Sequence, residues 1–596
     1  MVYRTFGWVQ NPSDFRNLKK TVQVFDPSSD HYKKMKDHLI KEEIYFPKDK
    51  EKFQNALDNC FSEFSYRDLV GDSFDKNHKR AKKRSDSVAN SLLQISILPQ
   101  SAKTKSKRYT DNWTADGFLR WAVSLNFVSY NRVKDTFKIT TLGKKFSESK
   151  DDSEEENNIL KKAMLRYPPA TRILSLLDNS KSGMTKFSIG NQLGFIGEKG
   201  FTSYDEDLMI DWLKSADSKE LAKKIRVDVE GTSDKYARMI CGWLSKLNLV
   251  KKKTTTYLNS KNESITGFQE YSITAEGAHA IRQANGSSKN KMLPKFVMWE
   301  FLATEKSEGD SRSREYIRTR RAYTLKALKN NHTLDTVLSF LKLHNIREEK
   351  QTLISDLQKL ISFGIRISIN KESVILRDDI VDFTIPNETF SLVESNIAFE
   401  KIKNQFRKHS KIPEKYLVLF DIAFDPKRNR DFEIITAGLF KDIYGLKAVH
   451  LGGGNKPDGA IYNKKFGIIL DTKAYGGGYG KNIGQIDEMV RYIEDNSKRD
   501  IERNPNKWWE VFDADIPSDQ YYYLWVSGKF KKTFKEQLYQ THLRTNVNGG
   551  GLEVYQLLLG ADAVQKKNLD VNEIPKYMKN EVIEFVPTEE NDPECV

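Results

Sequence analysis

The chain has 596 residues, 38% of them hydrophobic and 30% charged, with a net charge of +15. That length requires several hydrophobic cores, and no run of about 18 apolar residues is present to form a membrane-spanning helix. Cys60, Cys241 and Cys595 are scattered with no CxxC pair, and the nine histidines show no ligand spacing, which excludes a disulfide framework and a zinc ribbon. Any metal must be held by oxygen, which favours Mg²⁺, with Mn²⁺ as the alternative. The opening MVYRTFGWVQNP lacks the apolar stretch of a secretory leader. The expectation is a cytoplasmic protein without membrane partners.

The charge is unevenly placed. Residues 391–596 hold 30 Lys+Arg against 31 Asp+Glu, and residues 1–390 hold 67 against 51. All the excess positive charge therefore lies upstream, as a polyanion-binding region would have it. A lysine-rich solvated surface is the plain alternative.

In chain order, one local pattern occurs three times. Phe118 to Val128, Met239 to Val250 and Leu353 to Ile365 each carry apolar residues at helical spacing, break at Asn or Gly, and run on into a β-branched strand. In the first two, an Ile-Thr strand end is followed by Gly143 or Gly277 and a further helix. This is the pattern of a winged helix, a helix-turn-helix backed by a β-hairpin. The basic run KNHKRAKKR (76–84) lies inside the first unit and is either solvated or an arm against DNA phosphates. Polar linker-like stretches place boundaries near 152, 288 and 385. The expected organisation is thus 1–152 and 153–288 as DNA-recognition subdomains, 289–384 as a third winged helix making mainly protein contacts, 385–395 as linker, and 396–596 as the catalytic domain.

Beyond residue 395 the pattern changes. Helices are expected over 402–424 and 432–444, then a Pro-Asp-Gly turn, the apolar strand FGIIL, a helix over 485–495, the strand YYYLWVSG and further helices. Strands flanked by helices indicate an α/β core with a mixed sheet. Its chemical centre is KPDGAIYNKKFGIILDTKAY. Asp458 opens a hairpin; Asp471 and Lys473, two apart at the end of the second strand, project to the same face. Two carboxylates and an amine so placed suit phosphodiester hydrolysis, where the carboxylates hold Mg²⁺ and the lysine orients water or offsets charge on phosphorus. Glu433, on the preceding helix, is a further candidate. A surface Asp-Lys pair at a hairpin rim is the competing interpretation.

The stretches TFGWVQNP, DNWTADGFLRWA, GFTSYDE, EGTSDKYARMI, YIRTRRA, HLGGGNKPDGAIY, DTKAYGGGY and NKWWEVF occur in this order, and through them the chain resembles the FokI-like type IIS restriction endonucleases. The resemblance implies a PD-(D/E)xK nuclease fold behind three helix-turn-helix-type subdomains. It also implies Mg²⁺ dependence, a short asymmetric duplex site of GGATG type, and cleavage of both strands to one side of it. Position by position, Asp458, Asp471 and Lys473 match the catalytic set. Gln10, Asn11, Arg84 and Trp113 match DNA-contacting positions of the first subdomain, and Glu230, Lys235 and Arg238 those of the second. The chemistry agrees: Arg and Lys suit guanine, Gln and Asn adenine, and Glu the cytosine amine. Asp487 and Arg491, four apart on one helix face, match positions that pair across a dimer of two nuclease domains; an intrahelical ion pair is the local alternative. Val227 stands where the family pattern has Asn, and Gly454-Asn455 where it has Ser-Arg. No methyltransferase motif is present, so a separate cognate methyltransferase is implied. The family further implies a nuclease domain packed against the recognition part at rest. A DNA-binding regulator and a repair nuclease of the same fold are the alternative functions.

Overall fold

The computed structural model describes residues 4–10, 12–97, 107–259, 262–287, 290–303, 311–391 and 394–586. Each of the three repeated patterns folds as a helix followed by a hairpin. The helix Asn112–Ser124 precedes antiparallel strands Val128–Asn131 and Thr136–Ile139. Thr232–Lys246 precedes the longer hairpin Val250–Leu258 and Ser264–Ile273. Lys350–Phe363 precedes Ile367–Asn370 and Ser373–Leu376. The chain leaves the first two helices through left-handed Asn126 and Asn248, and the third through Gly364. A short amide side chain tolerates that conformation and Gly adopts it freely. At Gly364 an added Cβ would also strike the Pro168 carbonyl at 2.0 Å.

The first two of these helices are packed together. Trp121 stacks on Trp243 with ring centroids 4.7 Å apart, and both indoles are fully buried. Trp243 Nε1 donates to the Pro12 carbonyl at 2.8 Å, which ties the amino-terminal segment into the same core.

The third subdomain is organised by charge. Its helix Ser311–Ala327 buries Arg318, Arg320 and Arg321. Arg320 and Arg321 both bind Asp356, at 2.6 and 2.9 Å, and Arg321 also reaches Glu198 of the second subdomain. Lys359 continues the chain of charge, pairing with Glu198 at 3.7 Å and with Glu414 of the C-terminal domain at 3.1 Å. The stretch between the halves is anchored at two points: Ile385 is buried, and Phe390 stacks on Trp299.

Residues 394–586 form a six-stranded mixed sheet flanked by helices. Strands Lys447–His450, Gly459–Tyr462 and Gly467–Lys473 are antiparallel neighbours; Tyr521–Ser527, Gly549–Glu553 and Glu581–Val582 continue the sheet in parallel. Helices Glu394–His409, Asn429–Asp442 and Val554–Gln565 share one apolar core with one face of the sheet, and Ile483–Lys498 and Phe534–Thr545 lie over the other. The sheet is thus covered on both sides, as its parallel strands require. No described helix is long and apolar enough to cross a membrane.

Candidate active site and nucleic-acid interface

The register of the central strands assembles the candidate catalytic groups. Asp458 immediately precedes Gly459, which pairs with Leu470, so its carboxylate arrives beside the end of the strand Gly467–Lys473. Its Oδ2 accepts from the Thr472 backbone N–H at 2.7 Å and from Thr472 Oγ1 at 3.0 Å. The turn before it depends on Gly452, where an added Cβ would strike the His450 ring at 2.4 Å. That turn lets the Leu451 N–H donate back to the Asp458 carbonyl at 2.9 Å. Lys473 Nζ donates to Asp471 Oδ1 at 2.8 Å. The parallel neighbour places Trp525 opposite Asp471 and Ser527 opposite Lys473. Trp525 Nε1 donates to Asp471 Oδ2 at 3.1 Å, and Ser527 Oγ to the Lys473 carbonyl at 2.7 Å. Both Asp471 oxygens therefore have fixed donors. Sequence reasoning singled out neither Trp525 nor Thr472; the stretch YYYLWVSG carries the only hint, a Trp three residues from its end.

The electrostatics are those of a crowded anionic pocket. Burial, then the charges of Asp471 and Glu433, push the Asp458 carboxyl well above the carboxylate range, with Lys473 opposing. Glu433 on the helix Asn429–Asp442 is pushed up to about 7, by burial first and then by Asp471. Burial disfavours the Lys473 ammonium, yet Asp471 and Asp458 outweigh it and hold its pKa above the usual value. Three carboxylates around one lysine leave excess negative charge in a low-dielectric pocket, which a hard cation would offset. Among the described residues no three His, Cys, Asp or Glu groups stand close enough to cage a metal alone. Of the groups in this pocket, Asp458 and Asp471 are the oxygen donors that could take part in holding such a cation.

The candidate DNA-reading residues come from two subdomains that meet. Gln10 Nε2 donates to Tyr236 Oη of the helix Thr232–Lys246 at 3.4 Å. Arg84 Nε donates to Asp111 Oδ2 at 2.8 Å, at the start of the helix that carries the exposed Trp113. Asn11 lies outside the described residues. In the second subdomain Glu230 and Arg238 form a bidentate pair at 2.9 and 2.7 Å, Lys235 is half-exposed on the first turn of that helix, and Val227 is exposed nearby.

On the helix Ile483–Lys498, Asp487 pairs with Arg544 of the adjacent helix at 2.6 Å, while the Arg491 guanidinium lies over the Tyr492 ring. Ile483, Tyr539 and Leu543 are exposed around them.

The C-terminal α/β domain is docked on the second subdomain. Trp212 sets its edge on His450, with ring centroids 4.4 Å apart. Tyr204 Oη donates to Asp431 at 2.6 Å, Lys441 pairs with Asp211 at 2.5 Å, and Lys456 with Asp217 at 3.0 Å. Arg428 Nη2 donates to the Lys199 carbonyl at 2.9 Å and to Thr202 Oγ1 at 3.0 Å.

Comparison with known proteins agrees with this architecture. Family models match residues 4–149 (FokI, recognition domain, subdomain 1), 156–289 (subdomain 2), 302–372 (FokI, D3 domain) and 396–584 (FokI, cleavage domain). The chain is 39% identical to the type II restriction enzyme FokI of Planomicrobium okeanokoites, over 98% of this chain and 99% of that one. It is 32% identical to the type II restriction enzyme StsI of Streptococcus sanguinis, over 96% and 94%. The solved structure of FokI bound to DNA superposes with a TM-score of 0.89 at 38% identity, covering 98% of this chain and 100% of that one. The structure of FokI alone gives 0.87 with the same coverage.

Proposed function

The chain belongs to the FokI family of type II restriction enzymes, and from that premise we propose that it is a type IIS endonuclease, reading duplex DNA with residues 4–372 and cutting it with residues 396–584. The observation that carries this is the convergence of Asp458, Asp471 and Lys473 at one strand end, in a chain matched to recognition and cleavage domains alike. A regulator with a dead nuclease domain would have no need of that set. Three winged-helix modules disfavour a structure-selective repair nuclease.

The cofactor is a divalent cation, and the oxygen-only donor pair Asp458 and Asp471 favours Mg²⁺ over softer metals. Such a cation supplies charge neutralisation at the scissile phosphate and at the departing oxygen. The protein's own groups do the rest. Thr472 holds Asp458, and Trp525 with Lys473 fixes both oxygens of Asp471. Lys473 offers an ammonium that orients the attacking water and meets the negative charge that grows on phosphorus.

One such centre cuts one strand, so a double-strand break calls for two. We assign pairing of nuclease domains to the face bearing Asp487 and Arg491. Protection of the host genome requires a separate cognate methyltransferase. Docking of the nuclease domain on the second subdomain restrains it until DNA is bound. The target is a short asymmetric site of GGATG type, with Val227 marking where base reading departs from the family pattern.

The test is digestion of plasmid DNA with Mg²⁺ or EDTA, followed by sequencing of the ends. Mg²⁺-dependent cuts at a fixed distance from one shared motif are expected. Scattered or structure-dependent cuts would overturn the assignment.

A further inference from the structure

Lys186 is a lysine with no solvent to face. Its side chain is 6% exposed, at the first turn of the helix Lys186–Gly190, which packs against the helix Thr232–Lys246. Burying an ammonium is costly unless it is paired and hydrogen-bonded. Here Nζ donates to Glu230 Oε2 at 3.0 Å and to the carbonyls of Val229 at 3.3 Å and Arg226 at 3.5 Å. All three acceptors lie within residues 226–230, just ahead of that helix. Lys186 therefore fixes both the backbone of this segment and the carboxylate at its end.

Glu230 is itself buried, with its side chain 8% exposed. Oε2 accepts from Lys186 and from Arg238 Nε, and Oε1 accepts from Arg238 Nη2. The order of burial is Lys186, Glu230, then Arg238, whose side chain is 36% exposed. Glu230 grips one edge of the guanidinium, through Nε and Nη2. The opposite edge, Nη1 with the second hydrogen of Nη2, is left with one weak contact, to the Met239 sulfur at 3.5 Å. Two parallel N–H donors in a fixed plane match the O6 and N7 acceptors of guanine in the major groove. A guanidinium free to rotate would bind phosphates as readily as bases.

We propose that Lys186 is a specificity-determining positioning residue. Through Glu230 it locks the Arg238 guanidinium in the orientation that reads one guanine. Lys186 does not touch DNA; its effect is on discrimination at a single base pair. This rests on the assignment of Arg238 as a base-reading residue, and the experiment separates the two.

The full-length protein is titrated, with Ca²⁺ in place of Mg²⁺, against a duplex carrying the site mapped by end sequencing and against every single-pair variant of it. Arg238→Ala identifies the pair that Arg238 reads. Lys186→Met and Glu230→Gln are expected to lose about tenfold or more of the preference at that same pair. In Lys186→Met, preference elsewhere in the site and the salt dependence of binding should be retained, and Lys186→Arg should restore part of the loss. Should Lys186→Met fold poorly, Glu230→Gln, which keeps the shape of the side chain, gives the same readout. If Arg238→Ala changes no base-pair preference, the base-reading assignment and the proposal both fall. If Arg238→Ala relaxes one pair and the Lys186 and Glu230 variants leave it intact, or weaken all pairs alike, the proposal alone falls.

Discussion

Two clusters of buried charge in this protein behave in opposite ways. Around Lys359, Asp356 is buried and Glu400 and Glu414 are half-buried, yet each carboxylate is held below the ordinary range. Burial works against them, but Arg320 and Arg321, Lys403 and Arg407, and Lys359 with Arg407, outweigh it. Around Lys473, Asp458 and Glu433 are pushed upward by burial and by neighbouring carboxylates, with a single lysine among them. Depth is similar in the two places; the supply of cations differs. The first cluster is complete within the chain and holds domains together. The second lacks a balancing cation within the chain, as the catalytic centre proposed above would.

The sharpest way to break this comparison is to remove one carboxylate from each cluster. Asp458→Asn should abolish cutting, by roughly 10³-fold or more, with site-specific binding in Ca²⁺ retained. In EDTA it should raise the melting temperature, because a repelled carboxylate has gone. The sign follows from linkage: a carboxyl whose folded pKa is raised costs stability as pH rises above the ordinary carboxylate range, so the gain should fade as pH falls towards about 4. A lower melting temperature at neutral pH would mean that the pocket is not electrostatically strained. Asp356→Ala should do the reverse: it leaves Arg320 and Arg321 buried without their shared partner and costs about 3–5 kcal/mol. Asp356 is held at about 2 in the fold. Its contribution is therefore present above the ordinary carboxylate pKa and lost as acid carries the pH down towards 2. Denaturant titrations at several pH values check this.

A smaller effect is expected at the bridge between domains. Lys359 links Glu198 to Glu414, so Lys359→Met should loosen the nuclease domain. The expected signs are severalfold faster proteolysis within 386–391 and increased cutting away from the site. Unchanged proteolysis would place the hold elsewhere, on Trp212 and His450 or on Arg428.

What the sequence disclosed follows the same division. Each helix-and-hairpin unit is local: its apolar spacing and its Asn or Gly stop lie within about 30 residues, so three were legible in the periodicity. The hairpin bearing Asp458 and Asp471 was legible for the same reason, since the two are 13 residues apart and a strand's two-residue repeat fixes the side of Lys473. Trp525 was not, because it joins Asp471 through a parallel strand some 50 residues later. The contacts of Trp212 with His450 and of Lys186 with Glu230 were equally silent. No pattern within either segment names a partner that only the tertiary fold brings near.

The smallest effect concerns Asp487, and it distinguishes a role within one molecule from a role between two. Asp487 is exposed and paired with Arg544 of its own chain, an interaction worth about 0.2–1 kcal/mol to the fold. If that is its whole role, Asp487→Ala and Arg544→Ala should be equivalent, each costing a little stability and leaving cleavage unchanged. If Asp487 serves the pairing of nuclease domains, the two should diverge. Asp487→Ala removes the group that reaches the second copy and should slow double-strand cutting at low enzyme concentration, with nicked plasmid accumulating. Arg544→Ala frees Asp487 from its competitor within the chain and should leave cutting as fast or faster. Rates of nicked and linear product formation, measured across a range of enzyme concentrations, decide between them, since only pairing between molecules makes the difference vanish as concentration rises.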